Sequence, residues 1–457
     1  MKASEPIAEY ASGLDYKDIS SRAVEMCKKS LLDGLGVMLA AGTLCEECRP
    51  FASMALAAGG KGESTVFGQD ARLPAFMAAF ANGSLSHALD FEDTHDEAKV
   101  HPNAASIPAA LAVAEALGKV SGKELITALV LGCDITSRMG LALKEDPIVF
   151  GWYMPPILNA FGAAAAAGKL LSLNTTQFLD AFSLVLCQAT CSAELVHNPQ
   201  TVIRAVRDAF SAKTGVMSAL LAEKGVPGFE QPLEGSAGFF RLYARDAFDL
   251  SRLVKGLGET FEGANISFKP WPCCRGTHPF LEAALLLIRD RGIDPMGIDA
   301  VKIITSVSAL QKALCEPLER KKRPRTAIDA KFSIPFVVAI ALAYGEVKLK
   351  HFSPEALEDE RVLTMADRIT LDVDEALPDG QGVLVLRSTD RIYTVETPEH
   401  VYGHPLNPMA MEDMIKKFED CAGYAGKRIP EGARKKLIEA ILNLEDQDDI
   451  RVITNEV

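Results

Sequence analysis

Residues 161–186 read FGAAAAAGKLLSLNTTQFLDAFSLVL. From Phe161 to Leu171 the side chains are so small that the backbone can come close to a neighbouring helix, and the run reads as a buried central helix. Asn174-Thr-Thr-Gln177 then sets up a capping box, in which the asparagine side chain accepts from the Gln177 amide while the glutamine reaches back. Ser121-Gly-Lys-Glu124, ahead of LITALVLG, is the same device upstream. Earlier still, Val24, Cys27, Leu31, Leu35 and Met38 recur every three or four residues, which lines one face of an amphipathic helix between Ser21 and Ala41. The expectation is a large all-helical domain over residues 1–262.

Composition shifts beyond it. AVKIITSVSAL (300–310), DRITLDVDEAL (367–377), GVLVLRSTD (382–390) and RIYTVET (391–397) alternate apolar with polar residues and favour β-branched types, the pattern of strands. FLEAALLLIRDRG from Phe280 and SIPFVVAIALAYG from Ser333 read as helices between them, so residues 263–402 are expected to form a smaller α+β lid domain. From Asn407-Pro408, where proline suits a first helical turn, MAMEDMIKKFEDC and EGARKKLIEAILNLE return to helix, and residues 403–457 are expected to rejoin the helical domain. The fold class is mainly α.

The chain has 457 residues, room for more than one core. Its 61 acidic and 48 basic residues leave a formal charge of −13, which argues against nucleic acid or an anionic membrane surface as a general partner. Ten cysteines, with no signal-peptide pattern behind Met1, read as reduced thiols of a cytoplasmic protein. The richest apolar runs are broken by Asp33, Lys169 or Lys213, so no membrane helix is expected.

Two islands carry the chemistry. The first, HALDFEDTHDEAKVHPNAASIP from His87 to Pro108, sets His87, His95 and His101 among Asp90, Glu92 and Asp93. Carboxylates this close can raise one another's pKa and keep a proton donor or base near neutral pH, whereas an ordinary acidic loop would simply be solvated. The same groups resemble a zinc or iron site, but their spacing fits no tight ligand template. The second island, FKPWPCCRGTH (268–278), holds Lys269, Arg275 and His278 around Pro270 and Pro272, which restrict the backbone. Preorganised cations suit a multiply charged carboxylate; the plainer reading is a structured interdomain loop. Cys45 and Cys48 form one CxxC with no second pair, and Cys273-Cys274 lacks cluster spacing, so both read as packing. Lys321-Lys-Arg-Pro-Arg325 reads as a solvated loop, with a contact to an anionic substrate as the lesser alternative.

Taken in order, HALDFEDTH, HPNAASIPAALAVAEALGKVSGKELITALVLGCDITSRMG, FGAAAAAGKLLSLNTTQ, FKPWPCCRGTH, AKFSIPFVVAIAL and GHPLNPMAMEDMIKKF resemble the MmgE/PrpD family over residues 5 to 450. The resemblance implies a homodimer whose subunits pair an all-helical domain with an α+β lid around a cleft, and chemistry without metal or organic cofactor. It implies a lyase on a small polycarboxylate, 2-methylcitrate or citrate dehydratase-like or cis-aconitate decarboxylase-like. The alternative is an epimerase of a small dicarboxylate such as iminodisuccinate. Family site residues carry over as Asp90, Thr94, His101, Lys269 and His278. On that basis His101, oriented by Asp90, and His278 are expected to move protons, Lys269 and Arg275 to hold carboxylates, and Thr94 to donate to one; His87 and His95 are expected to be supporting. The chain departs from the family where lysine and histidine are common: Arg204 and Arg207 stand there, suited to clamping anions but not to shuttling protons. Tyr153 likewise stands where an imidazole is common.

Overall fold

The computed structural model describes residues 2–198, 201–389, 391–427 and 429–456; 58% of the chain is helical and 9% is strand. No described helix is long and apolar enough to cross a membrane. The chain divides into two compact units, one running to Phe268 and resuming at Ala410, the other Lys269–Met409.

The first unit is built from helices whose starts follow from local chemistry. Ser20 caps Ser21–Leu44, and the boxes at Ser121 and Asn174 open Gly122–Leu141 and Thr175–Leu186 as expected. The small-residue helix, Met154–Leu170, lies at the centre and packs on Asn103–Leu117, Gly122–Leu141 and Asp208–Glu223. Its small side chains are what permit this. A Cβ on Gly162 would stand 1.9 Å from Thr136 Oγ1, and one on Gly215 would stand 2.5 Å from Ala163 Cβ. Buried Arg138 donates from Nε to Asp134 (2.7 Å) and from its terminal nitrogens to the carbonyls of Lys255 and Thr260 (both 2.6 Å). That pins the segment leading to Ser267, whose backbone exchanges two hydrogen bonds with Thr94.

The helices Met411–Ala422 and Glu431–Leu442 belong to this unit, and the first packs on Ser21–Leu44. It starts later than Asn407-Pro408 suggested. Gly403 and Asn407 donate into a tight turn, committing the backbone that the earlier helical turn would need. Lys417 reaches from this helix to Asp33, at 2.6 Å, and donates to the Phe91 carbonyl, also at 2.6 Å.

The second unit holds a four-stranded sheet in the order Ile369–Val373, Ile298–Thr305, Gly382–Ser388, Arg391–Glu396, with the first pair parallel and the other two antiparallel. Helices His278–Arg291 and Ile334–Tyr344 supply much of its apolar core. Two expectations change here. The strand from residue 300 stops at Thr305, because the Gln311 side chain accepts from both the backbone and the hydroxyl of Ser306 and turns the chain into the helix Ala309–Cys315. Asp390, last of the stretch 382–390, lies outside the described residues. The basic run is solvated only at Arg323 and Arg325: Lys321 and Lys322 are buried at the end of Leu318–Lys322, where Lys321 Nζ donates to the Phe332 carbonyl at 2.7 Å and lies 3.8 Å from Asp329. Cys27, Cys45, Cys48, Cys133, Cys187, Cys191 and Cys315 are free thiols.

Candidate active site

The helix Ala75–Ser86 delivers the chain into the loop that carries His87, Asp90 and Glu92, and Asn103–Leu117 takes it away just after His101. Asp90 turns the loop with φ 48°, in the left-handed region that side chains other than glycine seldom occupy, held by its amide donating to the His87 carbonyl at 2.8 Å. The side chains His87, Asp90, Glu92, Asp93 and Thr94 are all buried, and His101 retains 16% exposure of its side chain.

Glu92 is the hub. Its Oε1 is hydrogen-bonded to His87 Nδ1 and lies 3.0 Å from His101 Nδ1, and its Oε2 accepts from the Phe91 amide at 3.1 Å. His101 Nδ1 also lies 3.1 Å from the Asp93 carbonyl oxygen. Two imidazoles, with ring centroids 4.7 Å apart, thus share one carboxylate oxygen through the same ring nitrogen. With Nδ1 donating, Nε2 of each carries the lone pair. Where Asp90 was expected beside His101, the Glu92 carboxylate lies 3.0 Å from its Nδ1. Asp90 lies 3.9 Å from His87 Nε2.

Burial pushes the His87 pKa down to about 4, assisted by the positive charge of Arg207 and opposed by Glu92. This imidazole is neutral at pH 7. Asp93 is raised, first by burial, while Ser30 and Asn103 hold it back by hydrogen bonding. Its Oδ2 accepts from Asn103 Nδ2 at 2.7 Å, and behind it lies a void of about 10 Å³, far too small for a substrate.

Thr94 differs from expectation: its hydroxyl donates to the Val100 carbonyl at 3.1 Å and is committed to the loop itself. His95 is structural, with Nδ1 accepting from the Ala98 amide and Nε2 facing Glu262 at 3.3 Å. Arg207 is 1% exposed, and its field reaches His87, Asp90 and Glu92. Arg204 and Arg207 lie over the Tyr153 ring, at 5.7 and 5.3 Å from its centroid. The six residues Asp90, Thr94, His101, Tyr153, Arg204 and Arg207 thus all belong to the helical unit.

Lys269, Arg275 and His278 belong to the other unit. Lys269 and His278 are fully buried there. His278 Nε2 lies 3.1 Å from the Cys273 carbonyl oxygen, Nδ1 lies 3.4 Å from Arg275 Nη1, and the ring meets Trp271 edge to face. Arg275 also donates to the Tyr402 carbonyl at 3.3 Å.

His87, Asp90, Glu92 and His101 can each place one ligand atom within 4.8 Å of the others, a spacing a metal ion could bridge. As arranged, both Nδ1 atoms are turned to Glu92, which leaves the two Nε2 atoms as the imidazole ligand atoms open to a cation, while the charge of Arg207 acts against one there.

The MmgE/PrpD N-terminal domain model matches residues 5–251, and the MmgE/PrpD C-terminal domain model matches residues 271–446. The chain belongs to the MmgE/PrpD family. Among family members it is 27% identical to a cis-aconitate decarboxylase of Homo sapiens, over 99% of this chain and 93% of the relative. A cis-aconitate decarboxylase of Aspergillus terreus is 25% identical, over 97% and 93%. A mitochondrial 2-methylcitrate dehydratase of Yarrowia lipolytica is 24% identical, over 100% and 89%. Sequence reasoning placed Glu92 in the acidic cluster but missed it as the hub, and it set His87 aside; the His-x-x-Asp-x-Glu spacing was the available signal.

Proposed function

We propose that this chain is a lyase acting on a small polycarboxylate, by proton transfer at a carbon next to a carboxylate. The observation that carries the reading is the pair of imidazoles on Glu92 beside a buried guanidinium, in a chain matched over most of its length by MmgE/PrpD models. His101 takes or returns the proton at Nε2, and Glu92 stabilises the imidazolium formed. Asp90 adds negative charge beside the pair. Arg204 and Arg207, both over the Tyr153 ring, hold carboxylate, since guanidinium keeps its proton and binds carboxylate in a fork.

His278 serves as a second proton-transfer residue, Lys269 and Arg275 as further carboxylate holders, and the α+β unit as a lid on a homodimeric enzyme. Negative charge that grows during proton abstraction is stabilised by such fixed cations.

The test is to incubate purified protein with citrate, 2-methylcitrate, cis-aconitate and iminodisuccinate in deuterated water, following new double bonds by absorbance and products by proton NMR. New unsaturated or decarboxylated product from one of the first three is expected. Silence on all four sinks the substrate class, and C–H exchange without lyase product moves the chain to the epimerases. If His101→Ala and His278→Ala both keep wild-type turnover on the true substrate, the residue assignment is wrong.

A further inference from the structure

His87 and Arg207 are polar groups whose remaining hydrogen-bonding capacity is complementary. His87 is 1% exposed; its Nδ1 is committed to Glu92, and its Nε2 makes no hydrogen bond. Arg207 is likewise 1% exposed. Its Nη1 donates to the Arg204 carbonyl at 2.5 Å, but Nε and Nη2 make no hydrogen bond. Those two nitrogens share one edge of the planar guanidinium, the edge that grips a carboxylate with two parallel bonds. Asp208 Oδ2, 3.6 Å from Nε, balances charge without reaching hydrogen-bond distance, and its Oδ1 is taken by Asn159 at 2.7 Å. Burial opposes the charge on Arg207, yet Tyr153, Asp208, Glu92 and Asp90 together hold it firmly protonated. His87 follows the helix Ala75–Ser86 and Arg207 precedes the helix Asp208–Glu223, and the two helices touch where a Cβ on Gly83 would stand 2.8 Å from the Asp208 carbonyl oxygen; with burial, the Arg207 charge holds the His87 pKa down to about 4, which leaves the imidazole a lone-pair acceptor.

Buried polar edges left unmet are costly, and a native interior meets them with ordered water, an ion or a ligand. We propose that His87 and Arg207 form a substrate subsite that takes a carboxylate on the Nε/Nη2 edge and a hydrogen-bond donor, a hydroxyl or amine N–H of the same ligand, on His87 Nε2. His87 then touches substrate and selects for the donor, and Arg207 sets the requirement for the carboxylate beside it. The subsite rests on the polycarboxylate reading above and goes beyond it, because it discriminates between acids of the same charge.

Citrate and tricarballylate, which differ by one hydroxyl, are the probes, with malate and succinate as a shorter pair; each is titrated into the full-length protein by calorimetry. Wild type is expected to bind the hydroxy acid of at least one pair about fivefold or more tightly than its deoxy partner, the worth of about one hydrogen bond. His87→Phe keeps a ring and removes the acceptor; it should shrink that preference to within about twofold while the deoxy acid binds as before. Arg207→Lys keeps the charge and loses the fork, and should weaken both members about tenfold. Equal wild-type affinity within both pairs overturns the donor half, and it needs no variant to fold. Unchanged affinities in a folded Arg207→Lys protein overturn the carboxylate half. If none of the four acids binds wild type, the polycarboxylate reading itself fails and takes the subsite with it, a result distinct from binding without discrimination.

Discussion

Lys417→Met removes one charge from the interior of the helical unit while keeping most of the side-chain stem. Lys417 Nζ sits 2.6 Å from Asp33 Oδ1, donates to the Phe91 carbonyl at 2.6 Å and lies 3.8 Å from the centroid of the Phe91 ring, next to Glu92 in the chain. Burial raises the Asp33 pKa to about 7 even with Lys417 pulling it down, so without the lysine it rises further. At pH 8 the wild-type pair is mostly ionised, and the variant must either bury a lone carboxylate or protonate it, at about 1.4 kcal/mol per pKa unit. Breaking such a pair costs about 3–5 kcal/mol. At pH 6 Asp33 is largely neutral in both proteins, leaving mainly the unmet Phe91 carbonyl, about 1–3 kcal/mol. Urea unfolding followed by far-UV circular dichroism should therefore show a larger loss at pH 8 than at pH 6. Asp33→Asn combined with Lys417→Met should return much of the difference at pH 8. Equal losses at both pH values, or a loss under about 1 kcal/mol at pH 8, would refute the argument.

Three further outcomes follow from the same physics. His87 has a folded pKa near 4 against 6.5 in the unfolded chain, so folding holds it neutral; the stability this gives is present above pH 6.5 and is lost as pH falls toward 4, about 3 kcal/mol in all. Because Asp33 and Asp93 are raised and act with the opposite sign, the measurement is the difference between wild type and His87→Phe in urea midpoint across that range, which should narrow as the pH falls. Gly162→Ala places a methyl 1.9 Å from Thr136 Oγ1 and 2.6 Å from the Gly132 carbonyl, and should cost about 1–3 kcal/mol or prevent folding, read as a lowered Tm. Lys321→Met strips the buried donor from the Phe332 carbonyl and should lower the stability of the α+β unit by about 1–3 kcal/mol, whereas a solvated lysine would leave urea unfolding unchanged.

Much of the fold was legible because its signals are local. Ser121 and Asn174 cap within three residues of themselves, and the small residues from Gly162 to Gly168 announce close helix packing wherever they are placed. The ends of elements were less legible. Gln311 stops the strand at Thr305 by a side-chain contact that a period-two pattern does not contain, and Lys321 is buried because Phe332 and Asp329, distant in the pattern, fold over it.

The sequence by itself determined that residues 87–101 hold acids and imidazoles, that the cations lie in separate segments, and which family the chain belongs to. Tertiary structure alone decided the contacts within the cluster. Glu92 meets both Nδ1 atoms, Thr94 spends its hydroxyl on Val100, and Arg207 acts on His87 from the junction of two other helices. The physical reason is range. Caps and periodicity are set over a few residues of chain, while a proton's position and a guanidinium's free edge depend on distances of about 3 Å between groups that only folding brings together.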